Sequence, residues 1–250
     1  MIKLTDYNIY LMERAEKTRY ILLAAIALFG IGYIFFNNLP AALAMSLGSF
    51  LYPRYAARKL AEKRRDELNS QFKDALYSIS SALSAGNSLE SSFREALRDL
   101  RVLYPEPDAC IVRELEYICR RMEINEPLEK ALQDFAQRSG LEDISNFADV
   151  VGICKRTGGN LVHVVKNTSN MISDRIEVAQ EIELLLTRQN YERKILNVMP
   201  FLFIALMRFA GGGYMDSLYT SPRGYLMMAA ALGILALSYL VSGRIMDIKI

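Results

Sequence analysis

The residues able to catalyse a reaction or hold a metal are few and scattered. His163 is the only histidine in 250 residues, and it falls beside the apolar stripe of its helix, where an imidazole is a solvated surface group. Cys110, Cys119 and Cys154 stand far apart, without the close pairs that a zinc site or redox couple needs. They suit small buried side chains in a reducing compartment. Gly158-Gly159 invites comparison with a phosphate loop, but that loop needs Gly-Lys-Ser/Thr after four spacer residues, and Asn160-Leu161 follow instead. A tight turn between helices explains the two glycines more simply than an anion site. There is no nucleophile elbow and no HExxH pattern. The sequence therefore predicts a protein that is not an enzyme, with no catalytic residue, metal site or cofactor.

Composition directs attention to a membrane instead. Thirty basic residues against 28 acidic ones leave a net charge of +2, which gives no reason to expect nucleic acid as a partner. The hydrophobic share is 52% and the mean hydropathy +0.11, concentrated at Tyr20–Tyr52 and Leu196–Val241. Tyr20–Phe36 is uncharged and as a helix spans roughly 25 Å, close to a bilayer's hydrocarbon thickness. Arg14, Lys17 and Arg19 precede it and no small-residue cleavage site closes it, so it reads as a retained anchor. Asn37-Asn38 breaks the run, Pro40 fits the first turn of a new helix, and Leu39–Tyr52 is again uncharged. Leu196–Phe209 is apolar apart from Arg208, read as a guanidinium snorkelling to the lipid–water boundary. Gly211-Gly212-Gly213 and Ser221-Pro222-Arg223-Gly224 mark a loop before Tyr225–Val241, a second uncharged stretch of spanning length. Spans this bare of polar groups argue against a transporter.

Basic residues give the sidedness. Arg54, Arg58, Lys59, Lys63, Arg64 and Arg65 follow the first pair of runs, and Arg188, Arg193 and Lys194 precede the second. The positive-inside rule then puts residues 53–195 in the cytoplasm and both loop tips outside. The expected layout is a cytoplasmic segment 1–19, a transmembrane hairpin 20–52, a cytoplasmic helical domain 53–195, a second hairpin 196–243 and a cytoplasmic tail 244–250. The cluster from Arg54 to Arg65 serves as a topology signal and contact for anionic lipid, and also offers a docking surface to an acidic partner.

The soluble middle is helical throughout. Leu68, Phe72, Ala75, Leu76, Ile79 and Leu83 recur with a period of 3.6. Gly86 closes that helix, and Asn87-Ser88 caps the next, whose stripe is Leu89, Phe93, Ala96, Leu97 and Leu100. After the break Tyr104-Pro105-Glu106-Pro107-Asp108 come Ile111, Leu115, Ile118, Cys119 and Met122. Pro127 suits the first turn of a helix carrying Leu128, Ala131, Leu132 and Phe135. Leu141, Ile144, Phe147, Ala148, Val151 and Cys154 form a fifth stripe, stopped by Thr157-Gly158-Gly159. Asn160 caps a long sixth helix through Leu161, Val164, Val165, Thr168, Ile172, Ile176 and Ala179, with no breaker before Pro200. Short turns between such helices predict an all-α fold, an antiparallel cytoplasmic helical bundle flanked by two transmembrane hairpins.

The wording of three turns adds a resemblance. Leu83-Ser84-Ala85-Gly86-Asn87-Ser88-Leu89 with Phe93-Arg94-Glu95-Ala96-Leu97 resembles the first helix–turn of the type II secretion F domain. Pro127-Leu128-Glu129-Lys130-Ala131-Leu132 looks like that family's middle segment, and Lys155-Arg156-Thr157-Gly158-Gly159-Asn160-Leu161 resembles its glycine turn before the long last helix. The resemblance covers roughly residues 65–195, and the flanking hairpins match the Tad (tight adherence, Flp-type) pilus members. Main-branch platform proteins usually carry two F domains where this chain has one, which again points to the Tad-like branch. The resemblance implies an inner-membrane scaffold of a type IV/Flp pilus or type II secretion machine in a bacterium. Its implied partners are a hexameric secretion ATPase, a second F-domain platform protein or another copy of itself, pilins and membrane lipid. The competing reading is a membrane-anchored helical signalling or dimerisation module.

Overall fold

A computed structural model describes residues 6–8, 10, 12, 14–106, 109–157, 161–211, 213 and 215–246. Among them the regular elements are all helical: α1 (Arg14–Phe36), α2 (Leu39–Ser46), a 3₁₀ segment (Leu47–Leu51), α3 (Tyr52–Ser84), α4 (Leu89–Leu103), α5 (Cys110–Glu123), α6 (Leu128–Ser139), α7 (Glu142–Thr157), α8 (Leu161–Ala210), α9 (Asp216–Thr220) and α10 (Pro222–Met246). The chain divides into two compact units. One takes in Met1–Leu11 and Ala57–Gln180, the other Met12–Ala56 and Glu181–Ile250, so α3 and α8 contribute to both.

The first unit is built on the predicted stripes. The six stripe residues of α3 share one core with those of α4, α5 and α6 and with Ile144, Phe147, Ala148 and Val151 of α7. Phe72 sits edge-on to both Phe135 (6.2 Å) and Phe147 (5.8 Å), the arrangement that ring quadrupoles favour. On α8 Val165, Ile172 and Ile176 are buried as the stripe expects, while Val164 is exposed and Ser169 is buried in addition. Helix ends follow local chemistry. Gly86 adopts φ +91°, which a Cβ would oppose, and the Asn87 amide donates to the Ala82 carbonyl to close α3. Ser88 then caps α4 by accepting from the Ser91 amide. Pro127 stands one residue earlier than expected, at the N-cap of α6, where its carbonyl accepts from the Lys130 amide. The turn residues Gly158, Gly159 and Asn160 lie outside the described residues, and with them the expected cap of α8.

In the second unit α1 runs for 23 residues, and α1 and Pro222–Ser242 of α10 are long and apolar enough to cross a membrane. The other apolar runs differ from expectation. Leu39–Tyr52 is not one helix, since α2 has eight residues, rises about 12 Å and gives way to the 3₁₀ segment. Leu196–Phe209 is the last part of α8, which continues through Pro200. The expected loop at 210–224 contains α9, and Pro222 opens α10 in the first-turn position that suits it. α1 and α2 approach closely: a Cβ on Gly32 would come within 2.8 Å of the Ala42 Cα. At one end of α1 the Tyr20 ring lies 6.3 Å from that of Tyr52. At its other end Phe35, fully buried, packs with Phe201, Tyr219 and Met228. Arg193 of α8 donates to the Ser242 carbonyl of α10 at 3.0 Å.

Candidate functional site

The densest chemistry lies where Tyr7 enters the first unit. Tyr7 is 2% exposed, and its hydroxyl donates to Glu114 Oε1 at 2.9 Å. Glu114 is itself buried and takes both arms of the Arg138 guanidinium, at 2.7 and 2.6 Å. Arg138 Nε reaches Asp134 at 3.0 Å, and Arg121 joins the same carboxylate at 3.4 Å while pairing with Glu126. The Tyr117 ring lies under both guanidinium groups. The backbone completes the seat, with the Tyr7 amide donating to the Arg138 carbonyl and the Asn8 side chain to those of Gln137 and Arg138. Gly140 ends α6 at φ +61°, and a Cβ there would collide with the Asn8 side chain.

Burial opposes the Arg138 charge, yet its bonds to Glu114 and Asp134 hold its pKa above the ordinary value. Burial, and next the Glu114 carboxylate, push the Tyr7 hydroxyl above its ordinary 10.0. Burial also raises the Cys119 thiol from 9.0 to about 11. Both groups keep their protons in the folded chain at a pH where the unfolded chain has lost them. Their contribution to stability is therefore complete below pH 9 and is lost as pH rises through 9 to 11 for Cys119 and beyond 10 for Tyr7. The thermal midpoint of the full-length protein, followed by circular dichroism, is expected to fall across this window, and Tyr7→Phe with Cys119→Ala to flatten the fall. An unchanged slope in the double variant would rule these groups out as the cause.

This cluster is a structural clasp, and sequence reading missed it. One signal was available: Glu114 occupies a stripe position between Ile111, Leu115 and Ile118, where a carboxylate needs a partner. Nothing in the sequence around Tyr7 marks it.

The basic cluster divides. Arg54, Arg58, Lys59 and Lys63 are exposed on α3. Arg64 and Arg65 turn inward, Arg64 over the Tyr7 ring at 5.2 Å and Arg65 donating to the Gly140 carbonyl. Arg208 also differs from the snorkelling side chain expected. Its guanidinium donates to the carbonyl of Tyr33 (2.8 Å) and to Asn37 Oδ1 (2.6 Å), and it lies 4.6 Å from the centre of the Tyr33 ring. Tyr219 adds a bond to the Ile34 carbonyl at 2.7 Å. The Ile34 carbonyl at the end of α1, where Asn37 takes φ +46°, is thereby satisfied, and the Tyr33 carbonyl, which already accepts from the Asn37 amide, gains a second donor. Among the motif residues, Gly86, Ser88, Leu89, Pro127 and Leu128 lie at helix junctions of the first unit, and Thr157 and Leu161 are the last residue of α7 and the first of α8. His163 is exposed and near Asn167, and all three cysteines are buried and none is in a disulfide. Among the described residues no cluster of His, Cys, Asp or Glu could hold a metal.

The first unit is a packed helical domain with a charged clasp, and the second carries helices of membrane-crossing length. The family model described as type II secretion system (T2SS), protein F, matches residues 75–207, more than half of the chain, and the protein belongs to that family. No curated protein and no solved structure matches it. Members of the family are associated with inner-membrane platforms of secretion and pilus machines, act as structural proteins rather than enzymes, and generally work with secretion ATPases and pilus components. The match begins inside α3, so Leu68, Phe72 and Tyr7 lie before it although they share the same core, whereas Glu114 and Arg138 of the clasp lie within it.

Proposed function

We propose that this protein is the inner-membrane platform of a Tad (Flp)-type pilus or related secretion machine, coupling a cytoplasmic hexameric ATPase to the assembly of pilins. The family match over 75–207, with a single F domain, carries this reading. Residues 53–195 form the cytoplasmic helical bundle, 20–52 and 196–243 the two membrane hairpins, and 1–19 and 244–250 the cytoplasmic ends. A second F-domain protein or a second copy supplies the paired platform. Arg54, Arg58, Lys59 and Lys63 rest on anionic lipid or meet the ATPase.

Several contacts support the hairpins. Tyr7 shares a core with α3, which suits a chain that leaves and returns to one side of the bilayer between them. α2, the 3₁₀ segment and the first turn of α3 together rise roughly 28 Å, enough for the return. Tyr20 beside Tyr52 brings the two ends of that excursion together in an aromatic pair suited to the interface. The Arg193–Ser242 bond pairs α8 with α10 in the opposite sense. With single cysteines, an impermeant maleimide is expected to label Asn38→Cys and Asp216→Cys from outside intact inner membranes, and Lys63→Cys only after lysis. The reverse pattern would overturn the layout. Deleting residues 54–194 in the host is expected to abolish surface pili or secretion, and normal output from that strain would overturn the platform reading itself.

A further inference from the structure

We propose that the face of the first unit formed by α3, α4 and α8 is a docking surface for a basic, apolar-anchored segment of a different protein. Tyr77 stands 77% exposed on this face, between two grooves. The larger, about 600 Å³, is lined by Asp74, Ser78, Asp99, Val102 and Leu103. The smaller, about 450 Å³, is lined by Lys73, Asp74, Asn170, Asp174 and Glu177. Val102 is 84% exposed and Leu103 58%, so the face presents an aromatic and two aliphatic side chains to solvent. An exposed tyrosine flanked by aliphatics and grooves is a common anchor of protein interfaces.

Charge selects the occupant. Among the described residues lining the grooves, Asp74, Asp99, Asp174 and Glu177 meet one cation, Lys73, which lies 3.9 Å from Glu177. Asp74 accepts a hydrogen bond from the Tyr104 hydroxyl and Asp99 one from that of Ser78, and no ion pair engages Asp74, Asp99 or Asp174 among the described residues. The neighbouring cations of α4 are engaged elsewhere, Arg98 with Glu95 and Arg101 with Glu116. Glu90, Glu126, Glu129, Asp134 and Glu142 each have a basic partner, whereas Asp74, Asp99 and Asp174 are gathered on this face without one among the described residues. A phosphate-bearing lipid or nucleic acid is repelled here, whereas Lys or Arg around a short apolar stretch complements both the carboxylates and the apolar side chains. A second copy of this chain does not fit if both sit in one bilayer in the same sense, the single point that rests on the platform reading. Its exposed Lys59 and Lys63 lie 14–18 residues back along α3 from Tyr77, roughly 20–27 Å away at another height.

The test uses the full-length protein in phosphatidylcholine nanodiscs and a fluorescent amphipathic helix of ~15 residues, with Lys on one face and Leu and Phe on the other. A control peptide has Glu in place of Lys, and anisotropy reads the binding. The basic peptide is expected to bind at least roughly tenfold more tightly than its control and to weaken at high salt. Asp174→Lys with Glu177→Lys, and separately Tyr77→Ser with Val102→Ser, are each expected to weaken it by roughly tenfold or more. All four side chains are exposed, so the fold survives, as circular dichroism verifies. Absence of binding, or binding indifferent to both double variants, overturns the proposal. In the host, normal output from the charge-reversed strain beside lost output from the 54–194 deletion would overturn the docking surface and leave the platform reading standing.

Discussion

Arg138→Met is expected to destabilise the full-length protein by about 3–5 kcal/mol, the usual cost of leaving a buried charge without its partner. Glu114 is 3% exposed and receives two guanidinium bonds and the Tyr7 hydroxyl. With Arg138 gone, only the tyrosine among the described residues remains to solvate that carboxylate, and Asp134 loses one of the two cations that those residues give it. Adding Glu114→Leu removes the stranded charge, so the double variant should recover much of the loss, as buried pairs replaced by apolar residues generally do. Tyr7→Phe, which takes away one bond to an ionised acceptor, should cost about 1.5–3 kcal/mol. Denaturant unfolding of the three variants in detergent, followed by circular dichroism, gives all these values. A loss under about 1 kcal/mol for Arg138→Met would show that the cluster is solvated rather than buried.

Phe147→Ala is the second large effect, at about 3–5 kcal/mol. The ring is fully buried, 5.8 Å from Phe72 and 6.5 Å from Phe93, so its removal opens a cavity among three helices that only partly collapses. Ile124→Ala, at a side chain 76% exposed in the turn after α5, is the matched control and should stay within about 0.5 kcal/mol. Similar losses at both positions would mean that the core is not packed around the aromatic cluster. Such a result would also weaken the case for a domain that holds its shape under load.

The helices of the first unit were readable from the sequence because burial of one face imposes a 3.6-residue period that needs no knowledge of the partner surface. Leu68 to Leu83 and Leu128 to Phe135 are buried as their spacing required. Gly86 and Ser88 could be read for a similar reason, since a positive φ and an N-cap are local demands. Family wording in the turns was equally local, and the match over 75–207 agrees with it. What the sequence did not disclose depends on groups far apart in the chain. Tyr7 and Glu114 are 107 residues apart, and Arg208 and Tyr33 are 175. Apart from Glu114, whose place on an apolar stripe calls for a partner it does not name, none of these residues is marked out until folding brings its partner within hydrogen-bonding distance. The basic run shows the same division, because Arg58 and Arg65 are equivalent as charges and only the packing of α3 sends one to solvent and the other to the Gly140 carbonyl. Periodicity reports which face is buried, whereas the pairing of polar groups inside a fold is decided by tertiary contact, where leaving a charge or carbonyl unpaired costs several kcal/mol, on the order of 1–3 for each neutral group and more for an ion.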